Sequence, residues 1–437
     1  MKRQVPELYK EYGQYINKFR SFPLLQDGLK IVERRILYSL YEKAREQFTK
    51  SAKVAGHCIG NYHPHSDASV YGTMVSMVSS KLAEGQGNWG SNIGIVECPA
   101  AASRYTEIRC SKEILNMSFE FIKYVDFEEL EMDSEPVFLA AKFPFCLISA
   151  NDCQGIGFGS RTVIPSYTKS DLTKRLKWLL GYRQSEPLIK PLSNATSLSK
   201  DPEFRRLLTT GEAQLIYKGN YETFGKQSIA ITSLPNGKTF PTILKKLSKE
   251  ISVDKSIGIT DESSGRTGTC VRLTILRPRL CNIEKLKKKL NKLLISSSTY
   301  ECNMCDRDGK VLLVSIDQML LNVYANYKSV VERYLNTTIS DIQTKIDEMV
   351  LIQKIKVVLP THLQATPNDP EAIIRGCSSD TSIPMVRVKE LFDKYNISRL
   401  LKVQVDIAKE QEDKLVYEAK LNNLETFIWD EKYAGES

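Results

Sequence analysis

The residues that could do chemistry start with Ala101-Ala102-Ser103-Arg104-Tyr105-Thr106-Glu107, where an arginine directly precedes a tyrosine. A phenol is a poor nucleophile near neutral pH, because its ordinary pKa is about 10. A cation beside it stabilises either the phenolate or a phosphate that the oxygen attacks. The pair follows a glycine-rich stretch, Gly85-Gln86-Gly87-Asn88-Trp89-Gly90-Ser91, so a loop-like region is expected to carry it. Taken alone, Arg104-Tyr105 also describes an ordinary structural tyrosine, and its neighbours have to decide.

His63-Pro64-His65 is the second cluster. Two imidazoles two residues apart can flank a phosphate or bind a metal, and a metal needs further ligands, of which His57 alone lies nearby. Basic residues gather at Lys30, Arg34 and Arg35, at Lys50 and Lys53, and at Lys285, Lys287, Lys288, Lys289 and Lys292. Any one of these groups alone is explained by a solvated helix face. Gly155-Ile156-Gly157-Phe158-Gly159 lacks the full dinucleotide fingerprint. It reads as a tight turn or bent strand, or, more sharply, as a turn presenting Ile156 outward, the kind of apolar wedge that kinks DNA. Cys302-Asn303-Met304-Cys305 has no second pair at zinc spacing and reads as hairpin sequence before the turn Asp306-Arg307-Asp308-Gly309. No Walker-type loop and no acidic cluster of a two-metal nuclease stands out. The chain alone is therefore not expected to hydrolyse ATP, and a metal-assisted step needs carboxylates from elsewhere.

The elements that must position these residues divide the 437-residue chain into thirds. A helical stretch from Lys30 to Glu46 follows the turn at Asp27-Gly28, with Ile31, Ile36, Leu37, Leu40 and Tyr41 as its apolar residues. A second helix is expected over Ser66–Lys81, and with its glycine-containing connector the pair is similar to a helix-turn-helix. The middle third alternates strand-like runs at 213–217, 227–231 and 271–275 with amphipathic helices at 242–251 and 283–294. From Ile316 to Leu359 there is neither glycine nor proline, and Ile339, Ile342, Ile346 and Met349 recur at coiled-coil spacing. Such a helix reaches on the order of 65 Å. Pro360 is expected to end it, and a second helical stretch, Met385 to Trp429, to return along it. The fold class expected is α+β, in several domains. No apolar run of membrane-span length and no signal peptide appear, and ten scattered cysteines suit reduced thiols in a cytoplasm. The net charge of +9 permits a polyanionic partner.

Several further motifs join these residues to a family. Arg20-Ser21-Phe22-Pro23, Asp27-Gly28-Leu29-Lys30-Ile31-Val32-Glu33-Arg34-Arg35, Lys50-Ser51-Ala52-Lys53-Val54, Ile59-Gly60-Asn61-Tyr62-His63-Pro64-His65-Ser66-Asp67, the glycine-rich segment and Ala101–Arg109 follow in order. In these motifs the chain resembles the A-type polypeptide of type IIA DNA topoisomerases: bacterial gyrase A, its topoisomerase IV counterpart and the medium subunit of tailed-phage topoisomerases, the last fitting best in size. The resemblance implies a winged-helix DNA-cleavage domain (1–135), a tower domain (136–315) and a coiled-coil arm with a dimer gate (316–437). It implies that Tyr105 forms a transient 5′-phosphotyrosyl bond with double-stranded DNA and that Arg104 steadies the scissile phosphate. Arg20, Lys30, Arg34, Arg35, Lys50, Lys53, His63 and His65 would line the DNA, with relay of the tyrosine proton a further role open to either histidine, and Ile156 would intercalate. The chain would act as a homodimer beside a B-type subunit that supplies the ATPase and holds Mg²⁺ and ATP, in a bacterial cytoplasm or a phage-infected cell.

Departures from the family pattern carry expectations of their own. Gln26 and Glu33 stand where gyrases have basic residues, Ser66 replaces a glycine, and Ala68 and Gly72 replace the hydroxyl and acidic residues associated with quinolone binding, so weak quinolone poisoning is expected. The chain stops after the return helix, so relaxation and decatenation are expected in place of negative supercoiling. Two other readings remain open to the sequence: a His-x-His/Tyr nickase acting on single strands without a partner, and a noncatalytic helix-turn-helix dimer.

Overall fold

The computed structural model describes residues 4–131, 133–367 and 369–433. Helix α1, Gln4–Ile16, runs into a π-helical turn, Asn17–Ser21, that carries Arg20. Helix α2, Ile31–Lys43, starts where the Glu33 carboxylate accepts the Lys30 backbone N–H at 2.9 Å, which satisfies a donor that the first turn leaves unpaired. It ends three residues before the expected Glu46. Helix α3, Ser51–Asn61, lies in a stretch read from the sequence as motif alone, and helix α4, Asp67–Ser79, follows it. Ser66 is the N-cap of α4, its hydroxyl accepting the Ser69 N–H at 3.4 Å, so the helix begins one residue later than expected. Strands β1 (Thr49–Lys50), β2 (Glu84–Gln86) and β3 (Glu107–Arg109) form an antiparallel sheet with β3 in the middle, directly after Tyr105.

A five-stranded sheet orders Cys153–Ile156, Arg161–Ile164, Ile295–Glu301, Glu212–Lys218 and Thr196–Ser197. A four-stranded sheet orders Tyr221–Phe224, Ser228–Ile231, Val271–Ile275 and Ile257–Asp261. The three strands expected from alternation are all present. The lysine-rich helix Ile283–Leu293 buries Leu286 and Leu290 in a core with Phe240, Ile243, Val271 and Leu273. The helix expected at 242–251 instead starts at Phe240, because Pro241 suits a first turn, and gives way after Lys246 to a π turn, Lys249–Val253. Asn303–Cys305 pairs with Val311–Leu313 as the expected hairpin, and the ten cysteines are free thiols. A backbone hydrogen bond of 2.7 Å from Ile95 to the Asp261 carboxylate joins the segment after the glycine-rich stretch to an edge strand of the four-stranded sheet.

One compact unit ends at Tyr327 and a second begins at Lys328, inside the helix Ile316–Ala365. Pro360 does not end this helix, contrary to expectation. A proline there removes one backbone bond and costs about 3 kcal/mol. Ile352, Ile355 and Leu359 before it and Leu363 after it pack into one cluster with Ile373, Cys377 and Val388, and that burial on both sides offsets the loss. The return stretch is not one helix either. It breaks into Met385–Tyr395, Ile397–Leu400, Ile407–Asn422 and Leu424–Phe427, with Asn396 in the left-handed region (φ 52°) and Asp406 capping a fresh start. Within this unit Lys328 meets Glu425, Lys345 meets Glu410 and Lys414 donates to Gln343, so the later helices run antiparallel to the first. No helix among the described residues is long and apolar enough to cross a membrane.

Candidate active site

Tyr105 lies in a turn between the glycine-rich stretch and β3, its N–H donating to Ala102 at 2.8 Å. The residue after it is sealed. Thr106 is fully buried, its hydroxyl donates to Ser51 Oγ at 2.9 Å, and the Tyr71 hydroxyl lies 2.9 Å from it while donating to the Ala101 carbonyl at 2.6 Å. The first N–H groups of α3 reach into the same turn: Ser51 donates to Thr106 at 3.0 Å and Ala52 to Ser103 at 3.3 Å. Helix N-termini have such donors to spare, and here they hold a loop. On the other side Ala101 donates to Asn88, and Gly90 sits at φ 84°, where a Cβ would fall 2.9 Å from the Cys98 carbonyl. The backbone is thus pinned on both sides while the side chain stands free. Tyr105 is 64% exposed, with the Arg104 guanidinium 4.6 Å from its ring centroid.

A cleft of about 560 Å³ gathers Arg20, Lys30, His63 and His65 with Glu33 and the α4 residues Ala68 and Gly72. Tyr105 and Arg104 are not among its lining residues. Arg20 is exposed, and Lys30 donates from Nζ to the Gln154 carbonyl at 2.7 Å. The ring centroids of His63 and His65 are 4.4 Å apart with the planes at 88°. Burial, followed by the charge of Arg35, pushes His63 down to about 4.

Arg34 and Arg35, expected along DNA, are buried in ion pairs and do not line the cleft. Arg34 donates from Nε to Asp27 at 2.8 Å, and Asp27, fully buried, also accepts the Leu29 and Leu139 N–H groups. Both Glu135 oxygens accept from Arg35 at 2.7 Å, and Arg35 Nη1 lies 3.0 Å from His63 Nδ1. Buried charges persist when paired in this manner. Their burial has a trace in the sequence, since Ile31, Arg34 and Arg35 share one helix face at spacings of three and four. Glu135, a hundred residues on, left none. Lys50 and Lys53 are exposed, with Lys50 2.9 Å from Glu107.

Ile156 ends the strand Cys153–Ile156, which pairs with Arg161–Ile164, and it is 87% exposed. Its neighbours explain the glycines. A Cβ on Gly155 would lie 1.9 Å from the Ser21 carbonyl, and one on Gly157 would strike the Phe22 ring at 2.3 Å. The hairpin therefore packs backbone to backbone against the segment that carries Arg20, and Asn17 accepts the Phe158 N–H at 2.6 Å.

A family model for the A polypeptide of DNA gyrase/topoisomerase IV matches residues 20–433. The DNA gyrase A polypeptide of Staphylococcus epidermidis (strain ATCC 12228 / FDA PCI 1200) is 30% identical over 365 residues, covering 76% of this chain and 39% of that protein. Its counterpart in Staphylococcus aureus (strain NCTC 8325 / PS 47) is 30% identical over 368 residues with the same coverage, 76% and 39%. The chain thus spans about two fifths of the length of these curated relatives, 39% in each case.

Proposed function

The chain belongs to the gyrase A/topoisomerase IV A family, and from that premise we propose that it is the DNA cleavage and religation subunit of a type IIA topoisomerase. The observation that carries the reading is Tyr105: an exposed phenol beside Arg104, on a backbone held from both sides. Its oxygen attacks a DNA phosphorus. The bond from phosphorus to the 3′-oxygen breaks, the 3′-hydroxyl leaves with a proton, and the 5′ end stays on the tyrosine. Religation is the reverse, and because one ester replaces another no fuel is needed for that step. Arg104 stabilises charge on the phosphoryl oxygens, the main contribution expected in phosphoryl transfer. Arg20, Lys30, His63 and His65 bind the backbone beside the cut, Lys50 and Lys53 extend that surface, and Ile156 enters the base stack to bend the duplex.

The same reading makes 1–135 a winged-helix cleavage domain, supported by α2, α3 and α4 with a small antiparallel sheet, 136–315 a tower built on the two larger sheets, and 316–437 a coiled-coil arm with a dimer gate. Two copies cut the two strands of one duplex, and a B-type subunit supplies ATP hydrolysis. Mg²⁺ belongs to that partner in this reading.

The test is a denaturing DNA-cleavage assay with Mg²⁺ and the partner subunit. Wild type is expected to leave protein on both 5′ ends of a staggered break, and Tyr105→Phe to leave none. An adduct that persists in the mutant removes Tyr105 from the role, and nicking of single strands without a partner favours the nickase reading.

A further inference from the structure

We propose that Arg35 and Glu135 are positioning residues of this site: together they fix His63 as the neutral tautomer with its proton on Nε2, so that His63 serves the cleft as a hydrogen-bond donor to DNA phosphate and not as the base that takes the Tyr105 proton. The phosphate half of this inference rests on the proposed topoisomerase function; the tautomer half stands on geometry alone.

The geometry begins with Glu135, on the strand Ser134–Pro136, whose two oxygens accept from Nε and Nη2 of Arg35 at 2.7 Å each. That two-pronged grip orients the guanidinium plane and leaves Nη1 aimed at His63 Nδ1, 3.0 Å away. A guanidinium has five donors and no acceptor, and it keeps its charge in proteins. Nδ1 must therefore accept, and a neutral imidazole that accepts at Nδ1 carries its proton on Nε2. Protonating Nδ1 would set one N–H against another and place a second cation beside a buried one. Neither side chain can swing away to water, since Arg35 is 7% exposed and His63 is 3% exposed.

The cations and the second imidazole around His63 press the same way. Arg35 faces it from α2, Arg20 from the turn Asn17–Ser21 and His65 from its own connector, with Lys30 and Glu33 elsewhere on the cleft wall. Cys58 of α3, whose carbonyl accepts the His63 N–H at 2.8 Å, is held as a neutral thiol, because burial pushes it up to about 11. The acid nearest to Arg35, Glu135, is bonded to it through both oxygens and makes no hydrogen bond to the imidazole among the described residues. The same burial and cations hold His63 down to about 4. Among the described residues no acceptor is recorded for Nε2, and the ring borders the cleft, so its donor is open to a ligand. A neutral donor fixed in place before the reaction suits developing negative charge on a phosphoryl oxygen.

The chain has four histidines, so ¹⁵N-histidine labelling of the full chain gives four ring systems, and His63→Gln assigns the one in question. Ring nitrogen shifts separate imidazolium from the two neutral tautomers. His63 is expected to remain neutral with Nε2–H from pH 8 to pH 5. Arg35→Gln is expected to raise its titration by at least about one pH unit, towards the ordinary value near 6.5. Imidazolium at pH 6, or a proton on Nδ1, overturns the proposal, and the wild-type spectrum decides this even if Arg35→Gln does not fold. The second arm is cleavage by the complex with its partner subunit. His63→Ala is expected to lose about a hundredfold or more, the usual effect of removing one donor to a transition-state oxygen. His63→Gln, whose amide can accept from Arg35 and donate to phosphate, is expected to recover at least about a tenth of the wild-type rate, because it keeps the donor. An equal loss in the two variants, with flattening of the pH profile, is the result for a general base and overturns the proposal. Absence of any 5′ adduct in wild type instead sinks the topoisomerase reading and the phosphate half with it, while the spectrum still decides the tautomer.

Discussion

Arg34 and Arg35 adjoin in the sequence, and each meets an acid of its own, which separates them from Lys30 a turn earlier. Asp27 gathers three donors at a site without solvent: Arg34, Leu29 and Leu139. Asp27→Ala strands the guanidinium and two N–H groups, and a loss of about 3–5 kcal/mol is expected, read as a fall in the urea midpoint. Asp152 behaves in the opposite sense. It accepts from Asn236 at 3.1 Å and Tyr300 at 3.3 Å, yet burial pushes its carboxyl up to about 6 from 3.8. The native state then holds a proton that the unfolded chain releases, so stability from this group is present at low pH and is lost as pH rises through about 6. Asp152→Asn keeps the acceptor and never ionises. Thermal melts are expected to show it gaining on wild type at pH 8 and not at pH 4; an equal gain at both removes the titration argument. Motif spacing made Tyr105, Arg104 and the histidines visible in the sequence, because chemistry needs particular side chains. It left the buried arginines with only the hint of a shared helix face with Ile31, because their pairing depends on Glu135 and on folding at long range.

At the scale of elements, the Gly155–Gly157 hairpin separates packing from presentation. Gly155 has no room for a methyl group against the Ser21 carbonyl, whereas Ile156 touches mostly solvent. Gly155→Ala is expected to destabilise the fold by about 1–3 kcal/mol, as overpacking does. Ile156→Ala is expected to leave the melting curve within about 0.5 kcal/mol of wild type while weakening bending of the cleaved duplex, measured by end-to-end energy transfer on labelled DNA. Unchanged bending removes the wedge. Glycine spacing announced this hairpin, and alternation announced the middle strands. Helix α3 escaped notice because Ser51 to Asn61 mixes two glycines with small and polar residues, and its start is secured by carbonyls of Ser103 and Thr106, fifty residues away. The helix through Pro360 shows the converse: a local breaker loses to a buried stripe on both sides of it.

Taken as a whole, the molecule divides at Tyr327, a boundary that no composition shift marks, because a single helix runs across it. The first unit alone holds every residue proposed to touch DNA, and inside it many hydrogen bonds join segments far apart in the chain. One of these is the 2.7 Å bond from the Ile95 N–H to Asp261. Gly94 beside it has no Cβ, and one placed there would come within 2.5 Å of the same carboxylate, so the backbone lies tight on the strand Ile257–Asp261. The turn bearing Tyr105, the proposed nucleophile, comes ten residues later in the chain. This makes the segment a candidate tether: anchored on its way at Ser91–Cys98 and Asn88–Ala101, it is a short cord on which a displaced four-stranded sheet would pull, and its other end carries the phenol. Asp261→Ala cuts the cord without altering any residue proposed to meet DNA. It is expected to change the rate of resealing in a single-turnover assay while leaving duplex affinity as it was, and an unaltered rate would mean that the cord hangs slack.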